Sequence, residues 1–179
     1  MEANIMDGER GQYLTFFVGK EEYAIGILRV KEIIEHGVIT SVRGTPPFVR
    51  GVINLRGSVV PVIDLAVKFG IGATEVTNRT CNIIVEVELE GEKTVMGVMA
   101  DAVSQVMDMT RQDIEEPPPF GTKVRVDYLL GMGKAGKKFI LILDIDKVLS
   151  TSELVVVSAI RPEDVGAPIQ PTEVAAGPA

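Results

Sequence analysis

The chain has one cysteine, one histidine and few aromatic residues, 5% of 179. A lone cysteine cannot form an internal disulfide, which points to a reducing compartment. With one histidine and no clustered ligands, a zinc site is not credible. No apolar run approaches the roughly 20 residues that a membrane-spanning helix needs. The opening MEANIMDGER carries acidic residues where a secretion signal would be basic. An excess of positive charge is missing too. Residues 1–72 hold eight basic and eight acidic residues, whereas residues 73–179 hold ten and seventeen and so carry the whole net charge of −7. Phosphate backbones and anionic bilayers call for a basic stripe, so neither nucleic acid nor direct membrane insertion is expected. Hydrophobic content of 46% marks a globular chain, expected to be soluble and cytoplasmic.

What is present is a succession of short runs rich in Val, Ile, Phe and Tyr, punctuated by glycine. QYLTFFV (12–18) and EYAIGIL (22–28) flank Gly19-Lys20-Glu21 and read as a hairpin. VKEIIEHGVI (30–39) reads as a third strand, and GVINLRGSVVPVIDL (51–65) supplies a fourth and a fifth. Pro61 lacks a donor and is expected on a sheet edge or at a bulge. DLAVKFG (64–70) and DIDKVLSTSEL (144–154) read as short helices, with Asp64 and Asp144 as N-caps. After the polar linker GATEVTNRT (72–80), residues 81–100 form another hairpin around Glu90-Gly91. Thr110 and Asp113 have capping spacing. From Pro162 onward the composition is that of a disordered tail.

The halves repeat one another. FFVGKEEYAIG (16–26) matches VELEGEKTVMG (87–97), VKEII (30–34) matches VSQVM (103–107), and PVIDL (61–65) matches LILDI (141–145). Gly51 opens GVINLRG as Gly131 opens GMGKAG. The expectation is two copies of a five-stranded unit, at 12–72 and 80–153, with loose ends at 1–11 and 159–179. Five strands in so short a stretch curl into a small barrel, which removes exposed edges. Each barrel alone is marginal, so a shared apolar interface should join them.

Little here can do chemistry. GMGKAGKK (131–138) has G-x-G-x-x-G spacing and nearly matches a phosphate-binding loop. Phosphate cradling needs a helix after the loop, and the apolar strand FILIL (139–143) follows instead. Cys81 with His36 as base is a conceivable nucleophile pair, but a thiol beginning a β-run behaves as a small hydrophobe. Pro117–Pro119 reads as a rigid linker rather than a polyproline ligand. One polar feature stands out, the joint Asn54-Leu55-Arg56-Gly57. Asn54 and Gly57 suit a tight turn, from which Arg56 projects its rigid fork of donors. Two readings of Arg56 remain open at this point: capping of carbonyls at a barrel rim, or orientation of a protein surface.

GVINLRGSVVPVIDL resembles the signature segment of CheW-type chemotaxis coupling proteins. EEYAIGILRVKEI (21–33), TPPFVRG (45–51), VMADAVSQVMDMTRQDI (98–114), YLLGMGK (128–134) and FILILDIDKVL (139–149) resemble further segments, so the likeness covers residues 12–153. It implies a mainly β protein of two packed SH3-like barrels, without catalysis or cofactor, that joins the cytoplasmic hairpin tip of chemoreceptors to a CheA-type histidine kinase. It implies a monomer in isolation, recruited to receptor arrays at the membrane. Carried over, Leu14, Ile27, Val30, Glu32, Ile33 and Val103 would line a receptor groove with Arg56 at its rim. Val42, Phe48, Arg50 and Ser58 would meet the kinase. Asn54, Gly51, Gly57 and Pro61 are expected to be structural.

Overall fold

The computed structural model describes residues 10–117 and 126–149. The expected tail, Pro118, Pro119 and the far end of the second helix lie outside the described residues. In order come β1 (Arg10–Val18), β2 (Glu21–Gly26), a 3-10 turn (Ile27–Arg29), β3 (Val30–Glu35), β4 (Val49–Leu55), β5 (Ser58–Asp64) and α1 (Leu65–Lys68). They are followed by β6 (Cys81–Leu89), β7 (Glu92–Ala100), β8 (Ala102–Thr110), a 3-10 turn (Arg111–Asp113), β9 (Ile114–Glu115), a 3-10 turn (Val126–Tyr128), β10 (Leu129–Ala135), β11 (Lys138–Leu143) and α2 (Ile145–Val148). Both expected N-caps are in place. Asp64 accepts from the Ala66 amide at 3.0 Å and Asp144 from the Lys147 amide at 3.3 Å. The Thr110 amide donates to Asp113 at 2.8 Å, closing the turn that spacing foretold.

The strands form two sheets, ordered β8-β1-β2-β11-β10-β9 and β3-β6-β7-β5-β4. The repeat is visible in its elements, but neither half pairs only with itself, which corrects the expectation of contiguous units at 12–72 and 80–153. Each half lends its opening hairpin to the other. β1 and β2 sit between β8 and β11, and β6 and β7 sit between β3 and β5. The physical reason lies in the connections. The turn Ile27–Arg29 and the bend at Asp101 each carry the chain from one sheet into the other, so the hairpin stays behind when the third strand begins. Arg10 and Gly11, expected to be loose, extend β1 by pairing with Thr110 and Met109, a backbone interaction that needs no apolar side chain.

Three apolar clusters follow. Tyr13, Ala24, Met109, Ile140 and Ile142 fill the six-stranded sheet, and Ile53, Val60, Val62, Ile84 and Met99 fill the five-stranded one. A larger cluster between the sheets draws Phe16, Tyr23 and Ile25 from one and Ile63, Ile83 and Val98 from the other. At about 1.5–3 kcal/mol per fully buried aliphatic or aromatic side chain, that central cluster makes the sheets interdependent.

Gly51 and Gly131 each stand at a register shift, in β4 and β10 respectively. A Cβ on Gly51 would overlap the Thr40 carbonyl; one on Gly131 would lie 2.6 Å from Ile114 and 2.8 Å from the Glu115 carbonyl. The same crossing of backbones thus demands glycine in both halves. Pro61 is not on an edge: β5 lies between β4 and β7. Its partner Val52 turns both backbone groups away, to Thr40, and the ladder to β7 begins only at Val62. The missing donor therefore falls where none is required.

Candidate protein-binding site

The joint between β4 and β5 is a two-residue turn with Arg56 at φ 51° and Gly57 at φ 89°. Positive φ at both positions gives a turn whose twist suits a hairpin. Gly57 accepts this without penalty, whereas Arg56 holds a conformation that L side chains seldom adopt. Asn54 fixes the turn by accepting from the Gly57 amide at 2.8 Å. The guanidinium is fixed as well: Nη1 donates to one carboxylate oxygen of Glu32 at 2.6 Å and Nη2 to the other at 2.8 Å. Those hydrogen bonds hold the Glu32 carboxyl below its ordinary range and push Arg56 further up. The rim-capping reading of Arg56 is replaced by this fork-to-fork pair.

The pair has a place in the architecture. Glu32 lies on β3, the first strand of the five-stranded sheet, and Arg56 follows β4, the last. Among the described residues no ladder joins those two strands, so the salt bridge spans the seam. Arg56 keeps 72% of its side chain exposed. Beside it an open cleft of about 550 Å³ is lined by Glu32, Leu55, Arg56, Ser58, Pro61 and Lys93. Ser58, expected on the kinase side, therefore shares a cleft with Arg56.

β3 has a bulge at Lys31, and its side chains divide between two faces. Val30 and Ile33 stand opposite Val85 and Ile83, on the face of the central cluster; Glu32 stands opposite Ile84, on the other. The repeat carries this over to β8. Val103 pairs with Phe16 and Val106 with Leu14, with the extra residue Ser104 standing where Lys31 does. Val103 is thus the counterpart of Val30, as the sequence implied. Ile27, Val30 and Val103 are half-buried against one cluster, while Ile33 and Val106 are 43% and 50% exposed. Leu14 is different. It is 3% exposed, inside that cluster between Ile25 and Val106, so it backs the apolar strip and cannot touch a partner. Sequence reasoning missed Val106 and Leu28, the latter 95% exposed. Val106 was one register step from the Val30–Val103 match; nothing marks Leu28, because an exposed leucine reads as core.

The sequence model of the CheW-like domain family matches residues 12–153. The chain belongs to that family. Chemotaxis protein CheW of Klebsiella aerogenes is 38% identical over 146 residues, covering 82% of this chain and 86% of that one. Protein FrzA of Myxococcus xanthus is 32% identical over 143 residues, 79% and 86% of the two chains. Among solved structures, the scaffolding protein TtCheW of Thermoanaerobacter tengcongensis superposes with a TM-score of 0.72 at 33% identity, covering 81% of this chain and 91% of that one.

In this CheW-like chain the other carried-over residues lie apart from Arg56. Phe48 is half-buried, with Lys68 Nζ 4.2 Å from its ring centre. Arg50 donates to the buried carboxylate of Asp64 at 3.3 Å, so much of its charge is spent inside the fold. The Val42 carbonyl accepts from the Thr45 hydroxyl at 2.9 Å. The residues singled out for chemistry are occupied by packing. GMGKAGKK spans the β10–β11 hairpin, with Gly136 at φ 64° and a strand beyond it. Cys81 is buried, which pushes its thiol up, away from the reactive thiolate. Burial also holds His36 below its ordinary value.

Proposed function

We infer that this chain is a non-catalytic adaptor of a chemosensory array, coupling the cytoplasmic tips of chemoreceptors to a CheA-type histidine kinase and so controlling its autophosphorylation. Such a protein works in the cytoplasm and joins arrays at the membrane; among the described residues no helix is long and apolar enough to cross one. The observation that carries the reading is the Arg56–Glu32 pair: an exposed guanidinium, held in two hydrogen bonds on a strained turn. A surface ion pair of this kind adds little to stability once screened by solvent. A fixed donor fork adds a great deal to orientation. The names of the relatives, chemotaxis and scaffolding proteins, support the same conclusion.

An amphipathic receptor helix would lay apolar anchors along Ile27, Val30 and Ile33 and their counterparts Val103 and Val106. Glu32, on the opposite face of β3, and Arg56, held to it from the β4–β5 turn, would fix the register of the neighbouring component. Val42 and Phe48 remain the proposed kinase contacts, with Arg50 bracing them through Asp64 and Ser58 contributing from the Arg56 cleft. Control of the kinase then needs no chemistry here: the adaptor favours one arrangement of kinase and receptor by its differential affinity for it. Calorimetric titration against the regulatory domain of a CheA-type kinase from the same organism tests this. Saturable one-to-one binding is expected, and its absence with every such kinase would sink the reading.

A further inference from the structure

Lys68, the last residue of α1, lies between two aromatic rings. Its Nζ is 4.2 Å from the ring centre of Phe48 and 5.6 Å from that of Tyr128. Both distances are within the roughly 6 Å over which a ring face attracts a cation. No ion pair among the described residues involves Lys68, so the two rings are what its ammonium meets. The packing of this corner does not demand a charge. PVIDL (61–65) matches LILDI (141–145), which puts Val148 of α2 where Lys68 stands in α1. Val148 is fully buried in the central cluster, so an apolar side chain serves the same position in the other half.

The two rings are held differently. Tyr128 packs 6.2 Å from the buried ring of Phe69, which is 5.6 Å from the buried ring of Tyr23. Tyr128 is thus anchored to the core. Phe48 ends the stretch between Thr40 and β4, a run of turns that carries Gly44, Pro46 and Pro47. Its carbonyl is tied to the Asp64 amide at 2.7 Å, and its half-buried side chain lies at the edge of the central cluster with no ring stacked on it. We propose that Lys68 is a positioning residue, which uses Tyr128 as its anchor to orient the Phe48 ring for the kinase contact. A ring already held in place loses less freedom when a partner binds, so the clamp raises affinity through preorganisation. The positioning role rests on the adaptor reading; the contact between Lys68 and the rings does not.

NMR of the full-length chain, without any partner, tests the clamp. The ε-methylene protons of Lys68 should lie upfield of their ordinary position through the ring current of Phe48, and Phe48→Leu should remove most of that displacement. Resonances at the ordinary position in the natural chain overturn the proposal. Calorimetric titration with the regulatory domain of a CheA-type kinase from the same organism reads the consequence. Phe48→Leu should weaken binding several-fold. Lys68→Met keeps the stem, removes the charge and should weaken binding about two- to fivefold, whereas Lys68→Arg should bind as the natural chain does. Added to Phe48→Leu, Lys68→Met should cause no further loss, because the ring it orients is gone. A loss that Lys68→Arg does not restore overturns the proposal. So does a Lys68→Met variant whose urea midpoint falls while its affinity holds, since that assigns Lys68 to packing. If Phe48→Leu binds as well as the natural chain, Phe48 is no kinase contact and the positioning role fails with it. Absence of binding by the natural chain sinks the adaptor reading and the positioning role together, and the upfield shift still decides the contact.

Discussion

Tyr128 occupies in the second half the place that Phe48 has in the first: its carbonyl accepts from the Asp144 amide at 2.8 Å, as that of Phe48 accepts from the Asp64 amide at 2.7 Å. Gly131 repeats Gly51 at the same bulge, and Val103 and Val106 repeat Val30 and Ile33 in the same register. The correspondence fails at the rim. Where the first half has Glu32 and Arg56, the second has Gln105 and Gly136. What packing requires has been kept in both halves, and the ion pair belongs to one. The pair is thus not part of what this fold needs in order to close. A residue spared by the demands of packing, yet held in two hydrogen bonds, is available for recognition.

The glycines give the sharpest way to break the likeness. Gly51→Val and Gly131→Val each force a side chain into backbone, and each should cost on the order of 3–5 kcal/mol of unfolding free energy, measured by urea denaturation. Similar losses are expected because the obstruction is the same, the Thr40 carbonyl in one half and the Glu115 carbonyl in the other. A benign Gly131→Val would mean that β9 can leave its place beside β10, and the repeat would then be decorative in the second half.

The capping aspartates should separate the halves. Asp64 is fully buried and accepts from the Ala66 amide, the Thr74 amide, the Thr74 hydroxyl and Arg50; Asp144, 4% exposed, accepts from the Lys147 amide. Asp64→Asn puts an amide donor into a fully buried site where the Ala66 and Thr74 amides need acceptors, and it removes the charge facing the half-buried Arg50. It should cost about 3 kcal/mol, against about 1 kcal/mol for Asp144→Asn. Equal losses would show that Thr74 and Arg50 contribute nothing to the first half.

Much of this was legible in the sequence, and the rest was hidden for definite reasons. Period-two alternation and turn glycines located the hairpins, and the spacing of Asp64 and Asp144 from their helices located the caps. The exchange of hairpins was not legible, because alternation says which residues face a core and not which half supplies that core. Leu14 was assigned to a partner for the same reason: one apolar strand residue looks like another until its neighbours are known. Arg56 was found from its turn, but Glu32 as its partner needed the seam between β3 and β4.

His36 offers a smaller effect, again confined to one half. Burial holds it below the ordinary histidine value and the charge of Arg50 adds to that, while Asn82 and Asp64 pull the other way. A histidine depressed in the folded state is protonated first in the unfolded chain. Its contribution to stability is complete above about pH 6.5 and is lost as pH falls through the folded value. Stability of the natural chain should therefore fall more steeply between about pH 7 and pH 5 than that of His36→Gln. Parallel slopes in urea midpoints would show that His36 takes up its proton without cost, through relaxation of the buried site it shares with Asn82.

The smallest effect on stability, and the most telling on function, should come from giving the first half the second half's identities. Glu32→Gln with Arg56→Gly copies Gln105 and Gly136. Arg56→Gly relieves the one non-glycine residue of that turn at positive φ, and loss of the exposed ion pair is screened by solvent. The melting temperature of the double variant should stay within about 3 °C of the natural chain. Its affinity for the kinase regulatory domain or for a receptor tip should fall at least about tenfold, because a fixed donor fork at the contact has been removed. Arg56→Gly alone is a useful companion: Glu32 should then titrate nearer the ordinary carboxylate range, which NMR of its side chain would record. If the double variant melts far below the natural chain, the ion pair closes the seam that the second half closes by other means. If stability and both affinities are unchanged, the rim pair serves neither fold nor assembly, and the asymmetry between the halves must be explained at Leu28 and Ile33 instead.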